Sequence, residues 1–188
     1  MKFYHFYNLP KPPEKYINLA LTKEEENFGS RSEYNVPVLD KVNRYGQLIT
    51  PNRNWRHELD KDFYKWVKEN ITLNFFDASI AMNIRENGYV TPHTDAKRNW
   101  CLIYVLDSGG DSCRTCFWQE KNKDVHRERY VLIDDYDKLE LIESADFETN
   151  RWALFNTQVI HSVENIERKR VSIQISIDSI TTNLYHEI

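Results

Sequence analysis

Two histidines and an aspartate are the residues of this chain best suited to chemistry. Pro92-His93-Thr94-Asp95 sets an imidazole and a carboxylate two positions apart. On a strand, or at its frayed end, that spacing sends both side chains the same way. His161 follows 66 residues after Asp95, and therefore on a different strand. Two imidazoles and one carboxylate on one face of an octahedron leave three positions open, which suits Fe(II) with room for a co-substrate and for O2. Zinc takes the same donors, with water in a fourth place. H-x-D is common by chance, so the pattern gains weight only from its surroundings. His5, His57, His126 and His186 lack comparable neighbours and are expected in packing or on the surface.

The surroundings that matter lie in the last strand. Arg170 stands nine residues after His161, with Ser172 two further on. A guanidinium grips a carboxylate with a planar fork, and a hydroxyl adds a donor. A metal beside an Arg-x-Ser strand could hold a keto diacid by both ends. The bland alternative is a solvated charge beside Arg168 and Lys169.

The elements that must position these groups are mostly strands. Val171, Ile173, Ile175 and Ile177 alternate with Arg170, Ser172, Gln174 and Ser176, so the last strand has one β-branched and one polar face. Strands are also expected over 2–9, 75–84, 100–106, 115–119, 129–133, 139–142 and 152–155, and around His161, with a polar turn over 164–169. Pro13 opens a helix through Leu21, with Ile17, Ala20 and Leu21 on one side. A second helix is expected over 58–70, where Leu59, Phe63, Trp66 and Val67 keep helical spacing. Residues 22–57 read as loops with a short strand. Helices at the start followed by many short strands predict a mainly β fold, a jelly roll buttressed by N-terminal helices.

Bulk composition sets bounds. A chain of 188 residues fits one domain, with helical support over roughly 1–70 and a β core over roughly 71–180. Apolar residues make up 40%, enough for a core, and no run reaches the length that spans a bilayer. The start of the chain carries no secretory pattern, so the expected location is cytoplasmic, away from membranes. A net charge of -4 gives no support for a nucleic-acid partner. The three cysteines, an odd number, argue against a disulfide framework. Cys113 and Cys116 have C-x-x-C spacing but lack two further zinc ligands, and are read as neighbours near a turn.

Taken in order, these motifs resemble the Fe(II)- and 2-oxoglutarate-dependent dioxygenases, in their prolyl-4-hydroxylase-like branch. The shared pattern is H-x-D, a distal histidine, and an Arg or Lys about ten residues later. Gly88-Tyr89-Val90 leads into the H-x-D, and Leu102 to Asp107 looks like the family's strand ending in Y-L-N. Gly109-Gly110 followed by Thr115-Cys116-Phe117 resembles its G-G-x-T-x-F with an insertion, and Trp152 to His161 resembles the segment bearing the distal ligand. The likeness covers roughly residues 73 to 178.

It implies a double-stranded β-helix of cupin-like type, with Fe(II) on His93, Asp95 and His161, and 2-oxoglutarate held by Arg170 and Ser172. Tyr104, Asn83 and Asn156 would lie near that co-substrate, and Trp100 and Trp152 near the substrate. O2 would be consumed, with release of succinate and CO2, to hydroxylate a peptidyl or free amino acid or another small molecule. Three departures are notable. Asn83 stands near the place of a tyrosine in many relatives. The glycine before the anion-binding residue is missing. Ser176 stands where nucleic-acid demethylases bear a second arginine. Two rival readings are a cupin-like metal enzyme that uses no keto acid, and a non-catalytic jelly-roll module that binds through Trp100, Trp118 and Tyr130. The insertion after Gly110 and the loop over 120–128 are the expected seats of substrate choice.

Overall fold

In the computed structural model, residues 3–23, 41–42, 48–49, 54–71, 74–83, 88–95, 98–121 and 136–178 are described. In chain order they form β1 (Tyr4–Tyr7), α1 (Glu14–Thr22), β2 (Lys41–Val42), β3 (Leu48–Ile49), β4 (Asn54–Glu58) and α2 (Lys61–Asn70). There follow β5 (Phe75–Asn83), β6 (Gly88–His93), β7 (Trp100–Asp107), β8 (Arg114–Glu120), β9 (Leu139–Ala145), β10 (Trp152–Asn156), β11 (Ile160–Ile166) and β12 (Arg170–Ile177).

A six-stranded antiparallel sheet has the order β1-β10-β7-β12-β5-β4, and a four-stranded one the order β6-β11-β8-β9. From β5 to β12 the chain passes back and forth between the two, with only β8 and β9 consecutive in the same sheet. That path is the double-stranded β-helix, or jelly roll, and the sequence expectation of a mainly β fold with N-terminal helices agrees with it.

β12 sits centrally because both its faces are covered. Its β-branched side packs with Ile80, Met82, Leu102, Tyr104 and Trp152, and with Tyr16, Ile17 and Ala20 of α1 and Phe63 and Val67 of α2. Ile173, Ile175 and Ile177 are fully buried, each stabilising the fold by about 1.5–3 kcal/mol. The other side is not wet: Arg170, Ser172 and Ser176 are buried too, facing the space between the sheets. Along β7 and β10, Cys101, Ile103, Val105, Ala153 and Phe155 look into the same space and meet Phe117 of the small sheet. The interior is thus apolar on the β10 side and polar on the β12 side.

Several boundaries differ from expectation, each for a local reason. Glu58 ends β4, paired with Ser79, and α2 begins only at Lys61. Asp60 is its N-cap, its Oδ1 accepting from the Phe63 N–H at 3.0 Å and from the Tyr16 hydroxyl of α1. In α1 the buried stripe is Tyr16, Ile17 and Ala20, whereas Leu21 is 47% exposed. β11 runs on to Ile166 because Glu164 is buried instead of turning outward, so the expected turn is shorter. The strand expected over 129–133, like most of the loop over 120–128, lies outside the described residues. No helix among the described residues is long and apolar enough to cross a membrane.

Candidate metal centre

His93 ends β6, and His161 is the second residue of β11. The two are register partners, which brings their rings to 4.4 Å between centroids at 48°. Asp95 lies just beyond β6, where its N–H donates to the Thr157 carbonyl at 3.0 Å. Gln158 Nε2 donates to the carbonyls of Asp95 (2.9 Å) and Arg98 (2.8 Å), and Thr157 Oγ1 donates to that of Arg98 at 2.6 Å. The segment bearing Asp95 is therefore buckled onto the β10–β11 turn that leads into His161. One donor atom from each of His93, Asp95 and His161 lies within 4.8 Å of the others, and His93 Nε2 is 3.6 Å from Asp95 Oδ1.

The protonation states suit a cation. His161 is buried, with Nδ1 2.9 Å from the Val159 carbonyl. Nδ1–H must donate there, so Nε2 keeps its lone pair for the site. Burial, then the neighbouring charge of His93, depresses its pKa to about 3. Burial alone would push the Asp95 carboxyl up. The Arg98 guanidinium first, then the His93 hydrogen bond, outweigh it and hold the carboxyl well below the usual range. A neutral imidazole facing an ionised carboxylate is the deprotonated set that a divalent metal requires.

Arg98 stands outside the H-x-D motif itself. Its Nε donates to Asp95 Oδ2 at 2.5 Å and its Nη1 to Gln174 Oε1 at 3.0 Å. The side chain thereby ties the H-x-D segment to β12 and leaves Oδ1 turned toward His93. An arginine three residues after the aspartate was the available signal.

Across the interior, Arg170 and Ser172 project from β12, 7% and 1% exposed. Ser172 Oγ accepts from Gln174 Nε2 at 3.3 Å, leaving its own proton to donate. The Arg170 guanidinium lies beside Cys113, whose thiol is pushed up by burial and pulled back by that charge. Gly109 explains how Arg170 is seated. Its φ is +88°, and a Cβ there would fall 2.8 Å from Arg170 Cβ. The Gly109 carbonyl accepts from the N–H groups of Glu167 (2.7 Å) and Arg168 (2.9 Å), so the β7–β8 turn rests directly on the approach to β12.

Other sequence candidates are placed elsewhere. Tyr104 packs at 5.0 Å against Trp152, the rings tilted by 56°, on the helix side of the large sheet, opposite the histidines, and Trp152 Nε1 donates to the Pro10 carbonyl at 2.9 Å. Trp100 packs against the same helix-side core, and Asn156 Oδ1 accepts from the Gln158 N–H at 2.9 Å within the turn. Strand parity sends Tyr104, Trp152, Trp100 and Asn156 away from the interior, which corrects the expectation that these four residues line it. Asn83 is the register partner of Arg170, its side chain lying outside the described set. Cys113 packs with Val163 and Ile166, and Cys116 with Trp118, Leu139 and Ile160, and none of the three cysteines is in a disulfide. Trp118 is 2% exposed, which removes it as a surface docking aromatic.

No model of a known protein family matches the sequence, and no curated protein does. Solved structures do. The non-heme alpha-ketoglutarate-dependent carbocyclase SnoK from nogalamycin biosynthesis is similar at a TM-score of 0.59 and 8% identity, over 100% of this chain and 87% of that one. E. coli ycfD gives a TM-score of 0.49 at 15% identity over 96% of this chain and 51% of that one, so the chain spans about half the length of that protein. A Pseudomonas putida prolyl-4-hydroxylase gives 0.47 at 12% identity, over 95% of this chain and 94% of that one. At 8% identity the likeness to SnoK is one of fold: the two chains share the double-stranded β-helix.

Proposed function

We propose that this chain is an Fe(II)- and 2-oxoglutarate-dependent oxygenase that hydroxylates a C–H bond of a small molecule or peptide. The observation that carries the reading is the meeting of His93, Asp95 and His161 donors within 4.8 Å, with the buried Arg170 on the facing sheet. His93, Asp95 and His161 would hold the metal, and Arg170 with Ser172 the distal carboxylate of the keto diacid. When bound there, iron would supply O2 activation for the coupled oxidation of 2-oxoglutarate to succinate and CO2 and of a substrate C–H to C–OH. The protein's own share is positional. Arg98 keeps Asp95 ionised and fixed, Val159 sets the His161 tautomer, and the apolar wall of Phe117 and Phe155 keeps water from one side of the site. The likeness of fold to SnoK supports the same reading.

Anaerobic titration with Fe(II) and 2-oxoglutarate, followed by a succinate assay against peptides and amino acids, tests it. His93→Ala is expected to abolish turnover, and Arg170→Ala mainly to raise the 2-oxoglutarate requirement. Full activity in either variant contradicts the assignment. Metal-dependent turnover that neither consumes 2-oxoglutarate nor takes up O2 would favour a cupin-like metal enzyme instead.

A further inference from the structure

Among the described residues, two buried polar atoms in the interior have no hydrogen-bond partner and no part in the scheme above: Arg56 Nη2 and Ser79 Oγ. Their placement follows from register. Arg56 of β4 pairs with Ala81 of β5, which pairs with Ser172 of β12, so all three look into the interior. Ser79 pairs with Gln174 and lies one inward position along β5 from Ala81. Arg56 and Ser79 are therefore diagonal neighbours on adjacent strands, close enough to share one ligand group. Ala81 offers only a methyl between Arg56 and Ser172, so the floor here is shallow.

The charges around Arg56 are mixed, and Glu58, the register partner of Ser79, is exposed to solvent. Burial first, then the like charge of Arg98, lowers its pKa, while Asp77 and Asp95 act the other way. Asp95 already has Oδ2 on Arg98 and Oδ1 toward His93. Asp77 faces the Tyr64 hydroxyl at 3.4 Å. Neither carboxylate completes the guanidinium. Adjacent strands lie about 4.8 Å apart, which puts β4 roughly 10 Å from β12, so Arg56 and Arg170 enter the interior from different strands.

Resting on the oxygenase reading, we infer that Arg56 and Ser79 bind a carboxylate of the substrate, which makes the substrate a carboxylic acid and not a neutral peptidyl side chain. The acid takes an N–H from Arg56 Nη2 and the hydroxyl proton of Ser79. A monoanionic carboxylate matches this pair. A phosphate dianion does not, because Asp77 and Asp95 stand nearby.

The test uses full-length protein loaded with Mn(II) and 2-oxoglutarate without O2, probed by calorimetry with free amino acids and short carboxylic acids and with their primary amides. At least one acid is expected to bind, and its amide not. Arg56→Gln is expected to weaken that acid by about 10- to 100-fold, Ser79→Ala by about tenfold, with Arg56→Lys in between. All three variants should keep Mn(II) and 2-oxoglutarate affinity, which also shows that they are folded. Amides binding as well as acids, no acid binding the loaded wild type, or unchanged acid binding in both Arg56→Gln and Ser79→Ala overturns the inference. Loss of 2-oxoglutarate in Arg56→Gln overturns it as well, assigning Arg56 to the co-substrate. Failure of the wild type to bind Mn(II) with 2-oxoglutarate overturns the oxygenase reading itself.

Discussion

Arg98 gives Asp95 its form in the folded protein, because a buried carboxylate stays ionised only where a positive charge outweighs its lost hydration. A group that orients and charges a ligand in this way typically affects metal affinity by about 10- to 100-fold. Arg98→Gln is therefore expected to weaken Mn(II) binding by about that factor, with Arg98→Lys recovering part of it. Equal affinities in calorimetry would show that Asp95 needs no such partner. His161 makes a pH prediction with a definite sign. Its folded pKa lies near 3 against an ordinary 6.5, so below 6.5 the unfolded chain binds a proton that the folded chain does not. Stability of the metal-free protein should fall as pH drops through that window, by up to about 1.4 kcal/mol per unit from this residue. Asp95 acts lower down. Its depressed pKa contributes stability above the ordinary carboxylate value, lost only as pH falls below it. Urea melts at pH 6 and pH 4.5, or about those values, should show a flatter dependence in His161→Asn. An unchanged slope would mean that His161 titrates normally.

At the scale of elements, β12 was readable from sequence because period-two alternation is a direct consequence of strand geometry. Its polar face was harder to read. Alternation says that Arg170 and Ser172 share a face, but not whether water or a second sheet covers it. His93 and His161 were found through spacing, although nothing local told that their strands are neighbours. Arg56 and Ser79 are not legible as a pair, because their meeting depends on β4 pairing with β5, and β4 lies in a stretch whose sequence pattern is mainly that of loops. Tyr104 and Trp152 were assigned to the pocket by resemblance, and counting residues from Arg170 could not give their parity on other strands. Gly109 carries the clearest element-level prediction. Alanine there meets both a positive φ and a Cβ contact at 2.8 Å from Arg170. Gly109→Ala should lower stability by more than about 1 kcal/mol and raise the 2-oxoglutarate KM, while Mn(II) affinity is retained. An unaltered KM would separate Arg170 from the β7–β8 turn.

At the scale of the molecule, the two sheets divide the work. The small sheet and the segment after β6 carry His93, Asp95 and His161, and the large sheet carries Arg170, Ser172, Arg56 and Ser79. A ligand that is gripped at both ends must therefore bridge the sheets, with Arg98 and Gln174 already forming one link between them. The most direct measurement is a crystal structure grown without O2 in Mn(II) and 2-oxoglutarate, with data collected at the manganese edge. The expected result is an anomalous peak at about 2.0–2.2 Å from His93, Asp95 and His161 together, the keto diacid running from that peak to Arg170. A peak bound elsewhere, or a diacid with no contact to Arg170, would contradict the account.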